Sequence, residues 1–190
     1  MPSELKSYRI LIADDEPMIR ETLRSQLESL GHAVVAEATS GPEAVEKAAE
    51  VRPDIAIMDI RMPEGSGIEA AKKMAEEIDC PVVLLTAYSD ADTIDSAAAA
   101  GAFAFLSKPV KTTDLGPGIE MAIARYKDVR RLETRLRNRT VLDRAKGKLM
   151  DKFQLTEEEA HKRIHYAARR QNRTMGEVAE DIIERNVFPD

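Results

Sequence analysis

One stretch constrains this chain more than any other: Ile55-Ala56-Ile57-Met58-Asp59-Ile60-Arg61-Met62-Pro63, an apolar run that delivers a carboxylate to its end and then turns. Apolar and β-branched residues bounded by Pro53-Asp54 and Pro63 predict a strand covered on both faces, as in a parallel sheet between helix layers. An aspartate at the end of such a strand is costly unless it is used. Three further runs end in the same way. Arg9-Ile10-Leu11-Ile12-Ala13 leads into Asp14-Asp15, Val82-Val83-Leu84-Leu85 into Thr86, and Ala102-Phe103-Ala104-Phe105-Leu106 through Ser107 into Lys108-Pro109. Ligands of open α/β sheets bind outside the carboxyl ends of the strands, where the strand order reverses, so three acids, a hydroxyl and a lysine are expected to converge there.

Between these runs the spacing alternates. Pro17 opens a helix with Ile19, Leu23, Leu27 and Leu30 on one face, and Gly31 stops it. A second strand over 33–38, a helix over 40–51, a loop through Met62-Pro63-Glu64-Gly65-Ser66-Gly67 and helices over 68–78 and 92–100 complete a βαβ rhythm, with Gly101 closing the last helix. This predicts an α/β fold: a flavodoxin-like, doubly wound, five-stranded parallel sheet of order 2-1-3-4-5. Past Lys108-Pro109 the strands cease. Ile119, Ile123, Tyr126, Val129, Leu132 and Leu136 recur every three or four residues, predicting a long amphipathic helix with coiled-coil-like spacing, whose start Gly116-Pro117-Gly118 delays. Thr156-Glu157-Glu158-Glu159 and Thr174-Met175-Gly176-Glu177 are Thr-x-x-Glu capping boxes marking two more helix starts, so a small three-helix, all-α domain follows. The expected division is 1–118, a helical linker over 119–137, and 138–190.

The strand-end residues resemble those of the receiver domain of two-component response regulators, in order, spacing and context. The resemblance implies that Asp59 is the phospho-acceptor, that Mg²⁺ is held by Asp14, Asp15, Asp59 and the backbone carbonyl of Arg61, that Thr86 and Lys108 take the phosphoryl oxygens, and that Thr86 and Phe105 form the switch. A hard, oxygen-seeking cation suits such a site, with Asp15 and Asp59 bound directly and Asp14 through water. Phe105 lacks the hydroxyl of the tyrosine more frequent in that family, and Tyr88 is able to share its surface role. The competing reading has Asp14 and Asp15 capping the next helix while Lys108 bridges them as a structural ion pair.

The stretch Arg139-Thr140-Val141-Leu142-Asp143-Arg144-Ala145-Lys146-Gly147-Lys148-Leu149-Met150, with the segments that follow, resembles an ANTAR domain, an RNA-binding antitermination module. Ala145 and Gly147 are small enough for close helix approach, and Val141, Leu142, Leu149 and Met150 supply a buried stripe. The polar remainder gives the RNA-binding candidates Arg137, Arg139, Arg144, Lys146, Lys148, Tyr166, Arg169, Arg170 and Arg173. His161 stands where that family has a large apolar residue. His161 and His165 are spaced for a shared metal but lack a third ligand nearby, so a mixed buried-and-surface pair is expected.

Charge supports a polyanion partner: the chain carries a net charge of −6, whereas residues 127–152 contain ten Lys/Arg against four Asp/Glu, 10 − 4 = +6. The same charge also suits a solvated helix face. The 43% hydrophobic content of the 190 residues fits two modest domains. No stretch reaches the roughly 18 apolar residues of a membrane span. The first residues lack the apolar core of a signal peptide, and the lone Cys80 forms no internal disulfide, so a cytoplasmic protein is expected. The two resemblances together imply a response regulator phosphorylated by a sensor histidine kinase, dimeric when phosphorylated, that binds RNA hairpins as a transcription antiterminator. It would be no enzyme beyond slow autodephosphorylation. The alternative is a helical output that binds DNA or a protein; the acidic stretch 175–183 is unsuited to a DNA recognition helix.

Overall fold

The computed structural model describes residues 6–87 and 103–189. Tyr88 and the helix expected over 92–100 lie outside them. Five parallel strands, β1 (Arg9–Ala13), β2 (Ala33–Ala38), β3 (Ile55–Asp59), β4 (Val82–Thr86) and β5 (Ala104–Ser107), pair in the order β2-β1-β3-β4-β5. The described helices are α1 (Pro17–Ser29), α2 (Gly41–Val51), α3 (Gly67–Lys73), α4 (Thr112–Phe153), α5 (Glu157–Arg170) and α6 (Met175–Glu184). Ile10, Leu11, Ile12, Ile55, Ile57, Met58, Leu84 and Leu85 are fully buried, as continuous apolar strands between two helix layers must be. Register then fixes the site. Ala13 pairs with Met58, so Asp14 emerges beside Asp59, while Asp59 pairs with Leu85 and Thr86 with Ser107, which brings Thr86 and Lys108 to the same edge.

The chain divides into two compact units, Met1–Lys127 and Asp128–Asp190. In the second unit α5 and α6 pack with the later turns of α4 around Ala145, Leu149, Ala160, Ile164, Val178 and Ile182. Both expected capping boxes form: the Thr156 and Thr174 hydroxyls accept from the Glu159 and Glu177 amides, and each glutamate carboxylate accepts in return from the amide of its threonine.

Three local expectations are corrected. The Gly116-Pro117-Gly118 triplet does not delay the helix, which begins at Thr112 with Pro117 inside it. An internal proline costs about 3 kcal/mol, but Leu115 and Ile119 on either side are fully buried, and each such side chain contributes about 1.5–3 kcal/mol. Gly118 lets the helix lie against β5, since a Cβ there would sit 3.1 Å from a Leu106 methyl. The helix expected over 68–78 changes at Met74 into a π-helical turn, Met74–Ile78, which closes through Asp79 in the left-handed conformation (φ 66°) and a Cys80 amide bond to the Met74 carbonyl. Gly147 is not a point of close approach either: its Cβ position meets nothing within 4 Å, and Ala145, fully buried, packs into the core instead.

The start of α2 sets an acid limit on stability. Glu43 accepts from the Lys47 ammonium at 2.6 Å and from the amide and hydroxyl of Thr39 at 2.7 Å, which together hold its carboxyl down to about 2. A carboxyl lowered in the folded state stabilises the fold above its unfolded value of 4.5 and loses that contribution as pH falls toward 2. We expect the melting temperature of Glu43→Gln to fall less steeply than wild type over that window; parallel curves by circular dichroism would refute it.

Candidate functional site

β1 and β3 end side by side because their apolar runs, Ile10 to Ala13 and Ile55 to Met58, pair in parallel, and each run leads at once into its acid. Asp14, Asp15 and Asp59 consequently offer carboxylate oxygens that all lie within 4.8 Å of one another. Asp14 is fully buried, Asp59 half-buried and Asp15 exposed. Among the described residues this is the group placed to hold a metal ion.

Lys108 closes the cluster. Its Nζ donates to Asp14 Oδ2 at 2.7 Å and to Asp59 Oδ2 at 2.6 Å. Burial works against its charge, but the bonds to the two carboxylates outweigh this and hold the ammonium above the ordinary lysine value. Lys108 thus bridges Asp14 and Asp59 rather than the Asp14 and Asp15 of the structural ion-pair reading. The remaining oxygens are oriented from the backbone: Asp14 Oδ1 accepts from the Glu16 amide at 3.0 Å, and Asp59 Oδ1 from the Arg61 amide at 3.4 Å. Three carboxylates against one ammonium leave the cluster short of positive charge, and all their donors are oxygens, which fits a hard divalent cation.

A cleft of about 330 Å³ opens over the cluster, lined by Asp15, Asp59, Arg61, Thr86, Ala87 and Lys108 among others. Thr86 is nearly buried, and its hydroxyl donates to the Ala87 carbonyl at 3.0 Å. Phe105, on β5, packs half-buried against the core cluster that contains Met58 and Leu84.

Two positions escaped the reading of the sequence. Gly67 opens α3 where the loop after Asp59 turns back on β3; a Cβ there would lie 2.0 Å from the Asp59 carbonyl oxygen, and the Gly67 amide donates to the Ile60 carbonyl at 2.9 Å. The Gly65-Ser66-Gly67 triplet advertised a turn, but not which glycine the Asp59 backbone presses on. Arg20, the second, donates to the Asp14 carbonyl at 2.7 Å and pairs with Glu37 at 3.3 Å.

The basic residues of the second unit sort into two groups. Lys146 is only 13% exposed and bridges Asp143 at 2.8 Å and Glu157 at 2.7 Å. Lys148 caps α6, donating to the Ile183 carbonyl and to Asn186 Oδ1, each at 2.9 Å. Arg173 is held by Asp181 at 2.7 Å and by the Glu177 carbonyl. These three hold the helices together. Arg139, Arg144, Arg169 and Arg170 are exposed and, among the described residues, have no ion pair within 4 Å; Arg137 is 73% exposed and meets Glu180 only at 3.5 Å, and the Tyr166 ring is 67% exposed. His161 is exposed and His165 half-buried, so the departure at 161 lies on the surface rather than in the core.

Residues 10–120 match the response regulator receiver domain family and residues 130–183 the ANTAR domain family. The transcriptional regulatory protein PdtaR of Mycobacterium tuberculosis is 43% identical over 183 residues, which cover 93% of this chain and 89% of that protein. The chemotaxis protein CheY of Thermotoga maritima is 39% identical over 102 residues, 53% of this chain and 85% of that one. Among solved structures, the receiver domain of a modulated diguanylate cyclase from Desulfovibrio desulfuricans superposes with a TM-score of 0.60 at 37% identity, covering 64% of this chain and 98% of that one. These matches cover the five-stranded sheet and the helices that follow it, and the chain belongs to the response regulator family, with a receiver domain followed by an ANTAR domain.

Proposed function

We propose that this chain is a phosphorylation-controlled regulator that binds RNA hairpins as a dimer and thereby prevents transcription termination. The observation that carries the first half is the meeting of Asp14, Asp15 and Asp59 within 4.8 Å beside the Lys108 ammonium. Asp15 and Asp59 would hold Mg²⁺ directly, Asp14 through water and Arg61 by its backbone carbonyl; the ion supplies the positive charge that lets a carboxylate approach a phosphoryl group. An Asp59 oxygen attacks the phosphorus of a phosphohistidine on the sensor kinase, the P–N bond breaks, and the imidazole leaves with its electron pair. Lys108 then trades part of its bond to Asp59 for a phosphoryl oxygen. The Thr86 hydroxyl turns from the Ala87 carbonyl toward another, and Phe105 follows into the space it vacates.

The functional parts we assign are 1–118 for phosphorylation, 119–137 for the linker and 138–190 for RNA, in a chain acting in the cytoplasm. Ile119, Ile123 and Tyr126 are buried in the chain's own first unit. A pairing seam therefore rests on the later part of the stripe, where Leu132 and Leu136 are 57% and 66% exposed.

Affinity for RNA is assigned to the exposed arginines Arg139, Arg144, Arg169 and Arg170, with Arg137 beside them, and selectivity to stacking on Tyr166. Lys146, Lys148 and Arg173 are assigned to the fold that presents them. Arg139→Ala with Arg144→Ala should weaken binding to every hairpin and lower the salt slope of log K by about two, one for each arginine–phosphate pair removed. Lys148→Ala should lower the melting temperature instead. An unchanged salt slope in the folded double variant defeats this assignment, and duplex DNA bound as tightly as hairpin RNA at equal salt defeats the RNA reading.

A further inference from the structure

We propose that a cavity between the end of α5, the turn after it, α6 and residues 187–189 receives one unpaired base of an RNA loop. The proposal rests on the RNA-binding reading above and adds what selects among RNAs. The cavity measures about 210 Å³ and is lined by Arg170, Gln171, Arg173, Asp181, Val187 and Phe188 among others. That is below the roughly 300 Å³ at which sites for drug-sized molecules begin, and suits a single planar ring system.

Its outer wall lies beyond the stretch that matches the ANTAR family, which ends at residue 183, and it is clamped in place. Arg163 Nε donates to the Pro189 carbonyl at 2.6 Å while its guanidinium lies 4.2 Å from the centre of the Phe153 ring. Lys152 Nζ sits 3.7 Å over Phe188, and the Phe153 and Phe188 rings meet edge to face at 5.7 Å. The bond to the Pro189 carbonyl and the contacts on the Phe188 ring hold this wall preformed, which lowers the cost of ordering it around a ligand.

The polar side is equally fixed. Asp181 is pinned by Arg173 at 2.7 Å and by Arg185 at 3.1 Å, which presents a carboxylate acceptor. Gln171 Oε1 accepts from Arg173 at 3.2 Å, and among the described residues nothing takes its carboxamide N–H groups. A carboxylate acceptor beside an amide donor matches the edge of a base, which offers an amino or imino N–H next to a carbonyl or ring nitrogen. The apolar wall of Val187 and Phe188 covers its faces. At the rim, Arg170 is exposed, and Tyr166 stands one turn earlier on the same helix, placed for a phosphate and for stacking of a neighbouring base. In RNA such bases are splayed out of loops rather than read inside the duplex.

The test uses the full chain and a pool of stem–loop RNAs with a common stem and a randomised loop, sequenced after capture. Wild type should enrich one base at one loop position. Gln171→Ala removes the amide donors together with one acceptor of Arg173, which keeps its bonds to Asp181 and to the Glu177 carbonyl, and Val187→Trp fills the cavity from a residue that is 56% exposed. Each should melt as wild type, keep its salt slope, bind the enriched loop about tenfold more weakly and lose the preference at that position. Arg170→Ala should instead weaken all loops alike. Folded variants that select the same loops with the same affinity overturn the pocket. Wild type binding every loop equally overturns it too but leaves the RNA reading standing, whereas no binding to any stem–loop ends both.

Discussion

Replacing Asp59 by Asn should abolish stable phosphorylation of this chain by acetyl phosphate altogether, and withholding divalent metal should do the same to wild type. Position singles this residue out. Asp14 is fully buried and holds Lys108 and the Glu16 amide, and Asp15 is exposed to solvent. Asp59 alone among the three combines partial exposure, a bond to Lys108 and a place on the cleft that Thr86 also lines. An amide at that position keeps the shape but cannot act as the nucleophile. Mass spectrometry of intact protein and of its peptides reads the result. A phosphoryl group on an aspartate of Asp59→Asn, or on wild type without metal, refutes the assignment.

The second large effect is expected at Gly67. Alanine there would place a Cβ 2.0 Å from the Asp59 carbonyl oxygen and 3.0 Å from its carbon. The atoms it meets are backbone of a strand end, so they cannot give way as a flexible side chain would. We expect a loss of about 3 kcal/mol, together with slower phosphorylation, because the loop that sets Asp59 must shift. Gly147→Ala is the control: its Cβ meets nothing within 4 Å inside a helix, and it should stabilise by about 0.5–1 kcal/mol. Equal stability of Gly67→Ala and wild type in urea would show that the loop relaxes freely.

The sheet and its acid cluster were legible because strand periodicity, strand ends and topology are all local or pattern-borne. An apolar run fixes a buried strand, and the position of Asp59 at its end needs only the register that Ala13–Met58 pairing supplies. The capping boxes at Thr156 and Thr174 were legible for the same reason, since both partners lie within one turn. Part of what escaped depends on residues far apart in the chain. Nothing near Lys148 says that its ammonium ends at the Ile183 carbonyl, 35 residues on, and nothing near Lys146 marks Glu157 as its partner. A basic stretch therefore read as one surface when Lys146 and Lys148 serve the fold, as Arg173 does further along the chain. Pro117 misled in the opposite direction: its local cost is real, and burial of Leu115 and Ile119 outweighs it.

If phosphorylation of Asp59 controls RNA affinity, titrating one hairpin RNA at fixed salt with wild type and Asp59→Asn, in the presence and absence of beryllofluoride and Mg²⁺, reads that control. Beryllofluoride should tighten binding by wild type about tenfold, a coupling of about 1.4 kcal/mol, and leave Asp59→Asn unchanged. Equal affinity of wild type in both states, with the label shown to be on Asp59, would contradict it.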